Sequence, residues 1–365
     1  MIRITGSLCH LQSGASRFGS APSRQIFRRA VALKRNGALR GDHAVLAQEG
    51  KPDSFVNLFA VWLLWAAAVL VNPKLPDQEL ARLVEFSKAR FVIGPDSTAP
   101  ARVRRFEACG IQKSTNLGPD GGAALDHAAL ILFTSGSTGQ PKGVGHSRRS
   151  ILARVTLNKV HMGRDCRQTT LSTLPVSFGH GLIGNRLTPI AGRWDDPSRC
   201  RYGASAGIQP QPDPAGSQHP RHELGSRTLE TCAAWLVRQA IDAGKDPHRF
   251  GPLVEWPLAG VIEWGGCDTV VNMYGMTEAA NRVGGASSRE MTLEDGVVGR
   301  LWGGAAAVLT SDHRVLRRGE GELLFQTPTL MTGYLDRPQK TQEFSTKDDT
   351  APAIWGRSTA MVLSV

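Results

Sequence analysis

Apolar residues recur along this chain in two rhythms that take turns. From about Ser23, the run Ile26-Phe27-Arg28-Arg29-Ala30-Val31-Ala32-Leu33 has the spacing of one helical face. Gly41-Asp42-His43-Ala44-Val45-Leu46 then predicts a turn feeding a short strand. Phe55 to Val71 is the most apolar stretch. It falls a little short of the roughly 20 residues that a membrane span needs, it holds Asn57, and it stops at Asn72-Pro73. It predicts a buried helix running into a buried strand. Asp77 stands as an N-cap before Leu80, Leu83 and Val84 at helical spacing, and Arg90-Phe91-Val92-Ile93-Gly94 reads as the next strand. Leu130-Ile131-Leu132-Phe133 predicts another strand, and Ser147 to His161 a basic helix. Helices alternating with short apolar strands predict an α/β fold with mainly parallel pairing.

The strand at Leu130 ends abruptly in Thr134-Ser135-Gly136-Ser137-Thr138-Gly139-Gln140-Pro141-Lys142-Gly143. Glycines let the backbone approach a ligand closely, and successive N–H groups in such a turn form an anion-binding nest. The hydroxyls add donors and Lys142 a mobile positive charge, so the ligand this pattern fits is a polyphosphate. A Walker loop, G-x-x-x-x-G-K-[ST], is excluded. Counted from Gly136, its second glycine falls at Pro141, and Gly143 stands where Ser or Thr is required. Further on, Val270-Val271-Asn272-Met273-Tyr274-Gly275-Met276-Thr277-Glu278 brings an aromatic, a glycine, a hydroxyl and a carboxylate off the end of an apolar strand. A third block, Gly319-Glu320-Gly321-Glu322-Leu323-Leu324-Phe325 followed by Gly333-Tyr334-Leu335-Asp336-Arg337-Pro338-Gln339-Lys340-Thr341, predicts a strand, a loop and a short capped helix.

Composition narrows the classes. A hydrophobic content of 41% and a charged content of 21% over 365 residues are those of a globular chain with room for a large core. Cys9, Cys109, Cys166, Cys200, Cys232 and Cys267 form no C-x-x-C pair, which argues against a zinc site or disulfide framework and for a reducing, cytoplasmic setting. The net charge of +11 raises nucleic acid as a partner. Residues 1–46, however, hold eight Lys and Arg against Asp42 alone, and no basic–aromatic interleaving follows, so no nucleic-acid partner is expected. The acid-free segment 1–41 has the composition of a transit peptide. The competing helix-and-strand reading from Ser23 onward is the one adopted, with residues 1–22 left as an unassigned basic segment.

The three blocks together resemble the adenylate-forming superfamily of acyl-CoA synthetases, luciferases and peptide-synthetase adenylation domains. The resemblance rests on T-S-G-S-T-G-x-P-K-G at 134–143, N-x-Y-G-x-T-E at 272–278 and G-E-L…G-Y-x-x-x-P-x-x-T at 321–341. It implies a large N-terminal domain of stacked mixed and parallel sheets flanked by helices, with ATP and Mg²⁺ as cofactors and a small carboxylic acid as substrate. It implies that Thr134, Ser135, Gly136, Ser137, Thr138, Gly139 and Lys142 hold the phosphates. Tyr274 would stack on adenine, with Asn272 and Gly275 beside it, Thr277 on the α-phosphate and Glu278 on the metal. Lys142, Thr277 and Glu278 are thus the catalytic candidates. Phe178 and His180, in Leu174-Pro175-Val176-Ser177-Phe178-Gly179-His180-Gly181, would line the acid pocket. The third block would be structural. The run at 55–71 also matches a family segment, except that Trp65 stands where a turn glycine is usual.

The resemblance covers residues 23–192 and 258–344, two parts of one AMP-binding domain. Between them, 193–257 is rich in Pro, Gly, Ser, Gln and Arg, without helix or strand period, and reads as replaced, frame-altered text rather than an inserted loop. After Phe344 the tail 345–365 contains no T-G-D turn for the ribose and nothing like the family's C-terminal lysine domain. The small C-terminal domain is therefore expected to be absent, and no site for CoA is identifiable. Two functions follow from the sequence: ATP-dependent adenylation of a carboxylate, or a truncated, non-catalytic remnant that at most binds nucleotide.

Overall fold

The computed structural model describes residues 8–10, 15–17, 21–94, 104–105, 125–134, 141–162, 169–172, 174–192, 201–204, 271–287, 290, 299–347 and 354–362. The strands of the larger sheets begin with β1 (His43–Ala47), β2 (Ala67–Val71), β3 (Phe91–Ile93), β4 (Arg104–Arg105), β5 (Ala128–Thr134) and β6 (Lys142–Ser147). Later come β7 (Val271–Met276), β8 (Asn281–Ser287), β9 (Arg300–Leu301), β10 (Ala305–Leu309), β11 (Val315–Leu316) and β12 (Glu322–Gln326). Last are β13 (Gly333–Tyr334), β14 (Ser345–Lys347) and β15 (Ile354–Val362). The central sheet has seven strands in the order β13-β6-β5-β2-β1-β3-β4. Its pairing is parallel from β4 through β5 and antiparallel at β5–β6 and β6–β13, so the sheet is mixed. β7-β8-β9 and β11-β10-β12-β15-β14 form two smaller antiparallel sheets.

Both faces of the central sheet are covered, and the strand period decides which residue goes where. On β2, Ala68 and Leu70 join one core with β1's Ala44 and Leu46 and β5's Leu130 and Leu132. Against that face pack α1 (Ala21–Arg35) through Ile26, Ala30 and Leu33, and α2 (Pro52–Leu63) through Phe55, Leu58 and Val61. The alternate residues Ala67, Val69 and Val71 face the other way, with Val45, Val92 and Ile131. There they meet Leu80, Leu83 and Val84 of α3 (Asp77–Phe86). Each fully buried aliphatic side chain in these layers contributes about 1.5–3 kcal/mol by leaving water. The polar intruder in the apolar run, Asn57, is 3% exposed and accepts a 2.5 Å bond from Arg29, which ties α2 to α1. No helix among the described residues is long and apolar enough to cross a membrane.

Several expectations need adjusting. Asp77 is the first residue of α3 rather than its cap; Pro76 holds the cap position, and no side-chain cap bond forms. The Asp77 carboxylate still lies in the first turn, where the helix dipole favours it. The helix predicted from Ser147 is α4 (Arg148–Met162), and an unforeseen strand, β6, lies between it and the loop. The short helix of the third block, α5 (Pro338–Phe344), opens on Pro338 without a side-chain cap. Ser345–Lys347 and Ile354–Val362 of the segment read as a non-matching tail extend the third sheet as β14 and β15. Of the segment 193–257, only Arg201–Ala204 is described, as a strand paired in parallel with Thr169–Ser172; the remainder lies outside the described residues.

Candidate functional site

The phosphate-loop residues fall between two antiparallel strands. Thr134 closes β5 opposite Lys142, which opens β6. Ser135, Gly136, Ser137, Thr138 and Gly139 lie outside the described residues, so Thr134 and Lys142 are the two members of that set whose positions are fixed. The strands beneath are firmly rooted, for Leu130, Ile131 and Leu132 are at most 1% exposed. Gly143 and Gly145 stand at alternate positions of β6, and β13 pairs along its edge with Gly333 opposite Gly145. A Cβ at Gly145 would stand 2.9 Å from Thr332 Oγ1 and 3.3 Å from the Gly333 carbonyl. The glycine is what lets β13, and with it Tyr334, approach this strand.

β7 delivers the second motif. Tyr274 is 8% exposed and packs with Ala279, Val283, Leu323 and Phe325. The side chain of Asn272 lies outside the described residues. After Gly275 and Met276 the chain makes one 3₁₀ turn, Thr277–Ala279, then passes through Ala280 and Asn281 at φ 54° and 90° into β8. Three successive carbonyls of this turn are tied to three different elements. His146 Nε2, on β6, donates to the Thr277 carbonyl at 2.7 Å. The Met331 amide, just ahead of β13, donates to that of Glu278 at 2.7 Å. Arg154, on α4, donates to that of Ala279 through Nε and Nη2 at 3.4 and 3.3 Å, and Nη2 also reaches Thr329 Oγ1 at 2.6 Å.

Burial shapes both basic groups of this clamp. It pushes the His146 imidazole down to about 4, with the Thr277 bond opposing and the Arg154 charge reinforcing the shift. Because Nε2 donates to a carbonyl, the neutral ring carries its proton there, and Nδ1 is buried without a partner. Arg154, 0% exposed, is lowered to about 9 by burial first and by the charge of Arg282 second.

Lys142, Glu278 and Tyr334, one from each block, meet around a single phenol ring. The Tyr334 hydroxyl donates to Glu278 Oε1 at 2.7 Å, and Lys142 Nζ stands 5.6 Å from the ring centroid. Phe344 of α5 meets the same ring edge-on at 6.2 Å, and the Tyr334 amide donates to Thr341 Oγ1 at 2.9 Å. Burial, then the Glu278 charge and hydrogen bond, hold the phenol well above its ordinary range, so it stays a donor at any physiological pH. An open depression of about 680 Å³ runs alongside, bordered by Tyr334, Asp336, Arg337 and Thr341. Among the described residues no three metal-ligating side chains cluster. A protein-only cage for a transition metal is thus not formed by them. A lone carboxylate beside a phosphate-loop lysine suits Mg²⁺, which binds through one or two carboxylates together with phosphate oxygens.

The segment of the expected acid-pocket residues meets Asn281 and Arg282, just after the 277–280 turn. Phe178 is 53% exposed, and His180 opens the π-helix His180–Leu187. A Cβ on the intervening Gly179 would lie 3.2 Å from Leu132 and 3.7 Å from Asn281. Arg282, 1% exposed, donates through Nη2 to His180 Nε2 at 3.1 Å and to Asn185 Oδ1 at 2.5 Å. Burial chiefly, and the Arg282 charge next, push His180 down to about 3, while the Asn281 side chain works the other way. His180 is therefore a neutral acceptor here rather than a proton donor.

Sequence reasoning passed over His146, Arg154, Tyr334 and Arg282. Arg154 did leave a signal: it stands on the α4 face that buries Ser150, Ile151, Val155 and Asn158, where a cation is out of place unless it has buried work to do. Tyr334 left one too, as an aromatic following a glycine in the third block. Its partner sits 56 residues away, beyond the reach of local spacing.

Comparison with known proteins gives the same direction. The profile of the family described as AMP-binding enzyme matches residues 23–192. The chain is 26% identical over 326 residues to the N-benzoylphenylalaninol synthetase of Penicillium brevicompactum, covering 84% of this chain and 13% of that protein. It is 24% identical over 326 residues to the 2-succinylbenzoate–CoA ligase of Geobacillus kaustophilus, covering 85% of this chain and 64% of the ligase. The chain thus spans less than two thirds of either relative's length. By fold, it matches the N-terminal subdomain of Klebsiella oxytoca NpsA in complex with 3-hydroxybenzoyl-AMSN. The TM-score is 0.73 at 20% identity, over 98% of this chain and 92% of that one. The O-succinylbenzoate coenzyme A synthetase of Bacillus subtilis in complex with AMP follows at 0.69 and 18%, over 99% and 94%. The fold is that of the N-terminal subdomain of adenylate-forming enzymes.

Proposed function

We propose that this chain, a member of the adenylate-forming superfamily, binds ATP with its phosphates at the 134–142 loop and activates a carboxylic acid. An oxygen of the acid attacks the α-phosphorus, the bond to the β-phosphate breaks, and an acyl-adenylate and pyrophosphate result. Lys142 neutralises phosphate charge as the bond breaks. Glu278 would supply a protein oxygen to a magnesium ion, whose charge would offset that of the phosphates, and Thr277, one residue before it, would take the α-phosphate. Such transfers rest on positioning and charge stabilisation more than on covalent help from the protein. Tyr274 borders the base, and Phe178 with His180 the acid. The neutral His180 suits a carboxylate pocket as a hydrogen-bonding wall, since its low proton affinity leaves it no part in acid–base exchange.

The observation that carries this reading is the meeting of Lys142 and Glu278 across one tyrosine, although 136 residues separate them in the chain. The test is ATP–pyrophosphate exchange over a panel of acids, starting with benzoic acids because 3-hydroxybenzoyl and succinylbenzoate groups occur in the relatives' names. Exchange is expected with at least one acid. It should fall at least a hundredfold in Lys142→Ala and in Glu278→Ala, as for a lost charge-stabilising group. ATP binding measured by calorimetry separates the rival, binding without turnover. Exchange no greater in the parent chain than in the double variant would overturn adenylation.

A further inference from the structure

We propose that Tyr334 is a positioning residue, holding the Glu278 carboxylate and the Lys142 ammonium in one fixed arrangement toward the magnesium–nucleotide complex. The inference rests on the reading of Glu278 as the metal's protein ligand. Within that reading, the third block has no assigned part, yet its tyrosine touches both other motifs.

The geometry makes this more than proximity. The ring is fixed on every side that matters: its backbone pairs with Val144 of β6, its amide is held by Thr341, and its edge meets Phe344. The hydroxyl spends its proton on Glu278 Oε1 at 2.7 Å. A carboxylate has two oxygens, so the bond leaves Oε2 for a cation and fixes the plane in which it is offered. Behind the side chain, the Glu278 carbonyl is tied by Met331, two residues before the Gly333–Tyr334 strand. One segment, 331–334, thus grips Glu278 at both its backbone and its side chain. The face of the same ring receives Lys142, an attraction between a cation and a π system that fixes where the ammonium stands.

Tyr334→Phe tests this, because it keeps the ring against Lys142 and Phe344 and removes only the hydroxyl. Mn²⁺ standing in for Mg²⁺ is titrated into the full chain with ATP present, and free ion is read by electron paramagnetic resonance. The metal concentration for half-saturation should rise about tenfold in Tyr334→Phe, the scale of one lost hydrogen bond to a charged group. Metal-free ATP affinity and thermal midpoint should stay close to the parent's. Glu278→Gln should abolish the metal-dependent part altogether. If Glu278→Gln does so while Tyr334→Phe titrates like the parent, Tyr334 is merely structural and this inference fails, with the functional reading intact. If the parent shows no metal-dependent nucleotide binding, that reading fails, and the inference with it.

Discussion

At Trp65 an indole takes the left-handed backbone, φ 59°, that the turn from α2 into β2 demands. The sequence predicts a conflict there, and the structure shows both the conflict and its partial relief. A non-glycine residue in that region costs about 1–2 kcal/mol. The Arg148 guanidinium lies 4.3 Å from the ring centroid and also donates to the Trp62 carbonyl at 2.9 Å, and such a stack returns about 0.5–1 kcal/mol. Burial chiefly, and then the charge of Arg40, lower Arg148 to about 10, so it remains charged in that role at neutral pH. Comparing two variants isolates the backbone cost, because both lose the indole. Trp65→Ala keeps the strained φ whereas Trp65→Gly relaxes it. Urea unfolding should find the glycine variant more stable than the alanine variant by about 1 kcal/mol. Alanine ahead by about 0.4–1 kcal/mol, the advantage its stiffer unfolded chain confers at an unstrained site, would mean that the turn carries no strain.

Among the elements, the edge of the central sheet governs the site. β13 is two residues long, yet it sets Tyr334, and it lies close to β6 because Gly145 has no side chain. Gly145→Ala places a methyl 2.9 Å from Thr332 Oγ1, an overpacking expected to cost about 2 kcal/mol and to loosen the proposed metal-dependent nucleotide binding. Thr332→Ala alone removes the bond from Thr332 Oγ1 to the Gly145 carbonyl, worth about 1 kcal/mol. The double variant should be less damaged than the two losses added, with a coupling of about 1 kcal/mol in a thermodynamic cycle; strict additivity would refute the packing argument. This edge also marks where the sequence stops being legible. Leu130–Phe133 and Phe55–Val71 announce their strand and helix through local period, and the motifs give Lys142 and Glu278 by residue type. β6, with glycines at alternate positions, has no apolar period to read, and β13 is too short to have one. The clamp on the 277–280 turn joins residues more than 100 positions apart for His146 and Arg154. Such contacts are a property of the assembled sheets, and no window along the chain contains both partners.

Over the whole molecule, desolvated neutral histidines make stability depend on pH in a defined direction. His146 is held at about 4 and His180 at about 3, both below the 6.5 of a free imidazole. Between pH 6.5 and 4 the unfolded chain therefore binds more protons than the folded one. Their neutral burial is fully tolerated above pH 6.5 and turns against folding as pH drops through that window. For His146 the penalty reaches roughly 3 kcal/mol at pH 4, a large part of the stability of an ordinary domain. Its Nδ1 has no acceptor for the second proton, and Arg154 opposes the added charge. The chain's net charge of +11 adds self-repulsion as carboxylates neutralise, so acid sensitivity alone would not identify the histidine. His146→Gln makes the distinction, since an amide can donate to the Thr277 carbonyl without titrating. Urea midpoints taken from pH 8 to pH 4 should fall less steeply below pH 6.5 in His146→Gln than in the parent chain, with the curves parallel above pH 7. The Thr277–Glu278 turn would then hold its place to lower pH, and the proposed metal-dependent nucleotide binding should extend into the acid range with it. Curves that stay parallel down to pH 4 would instead assign the acid loss to general charge repulsion.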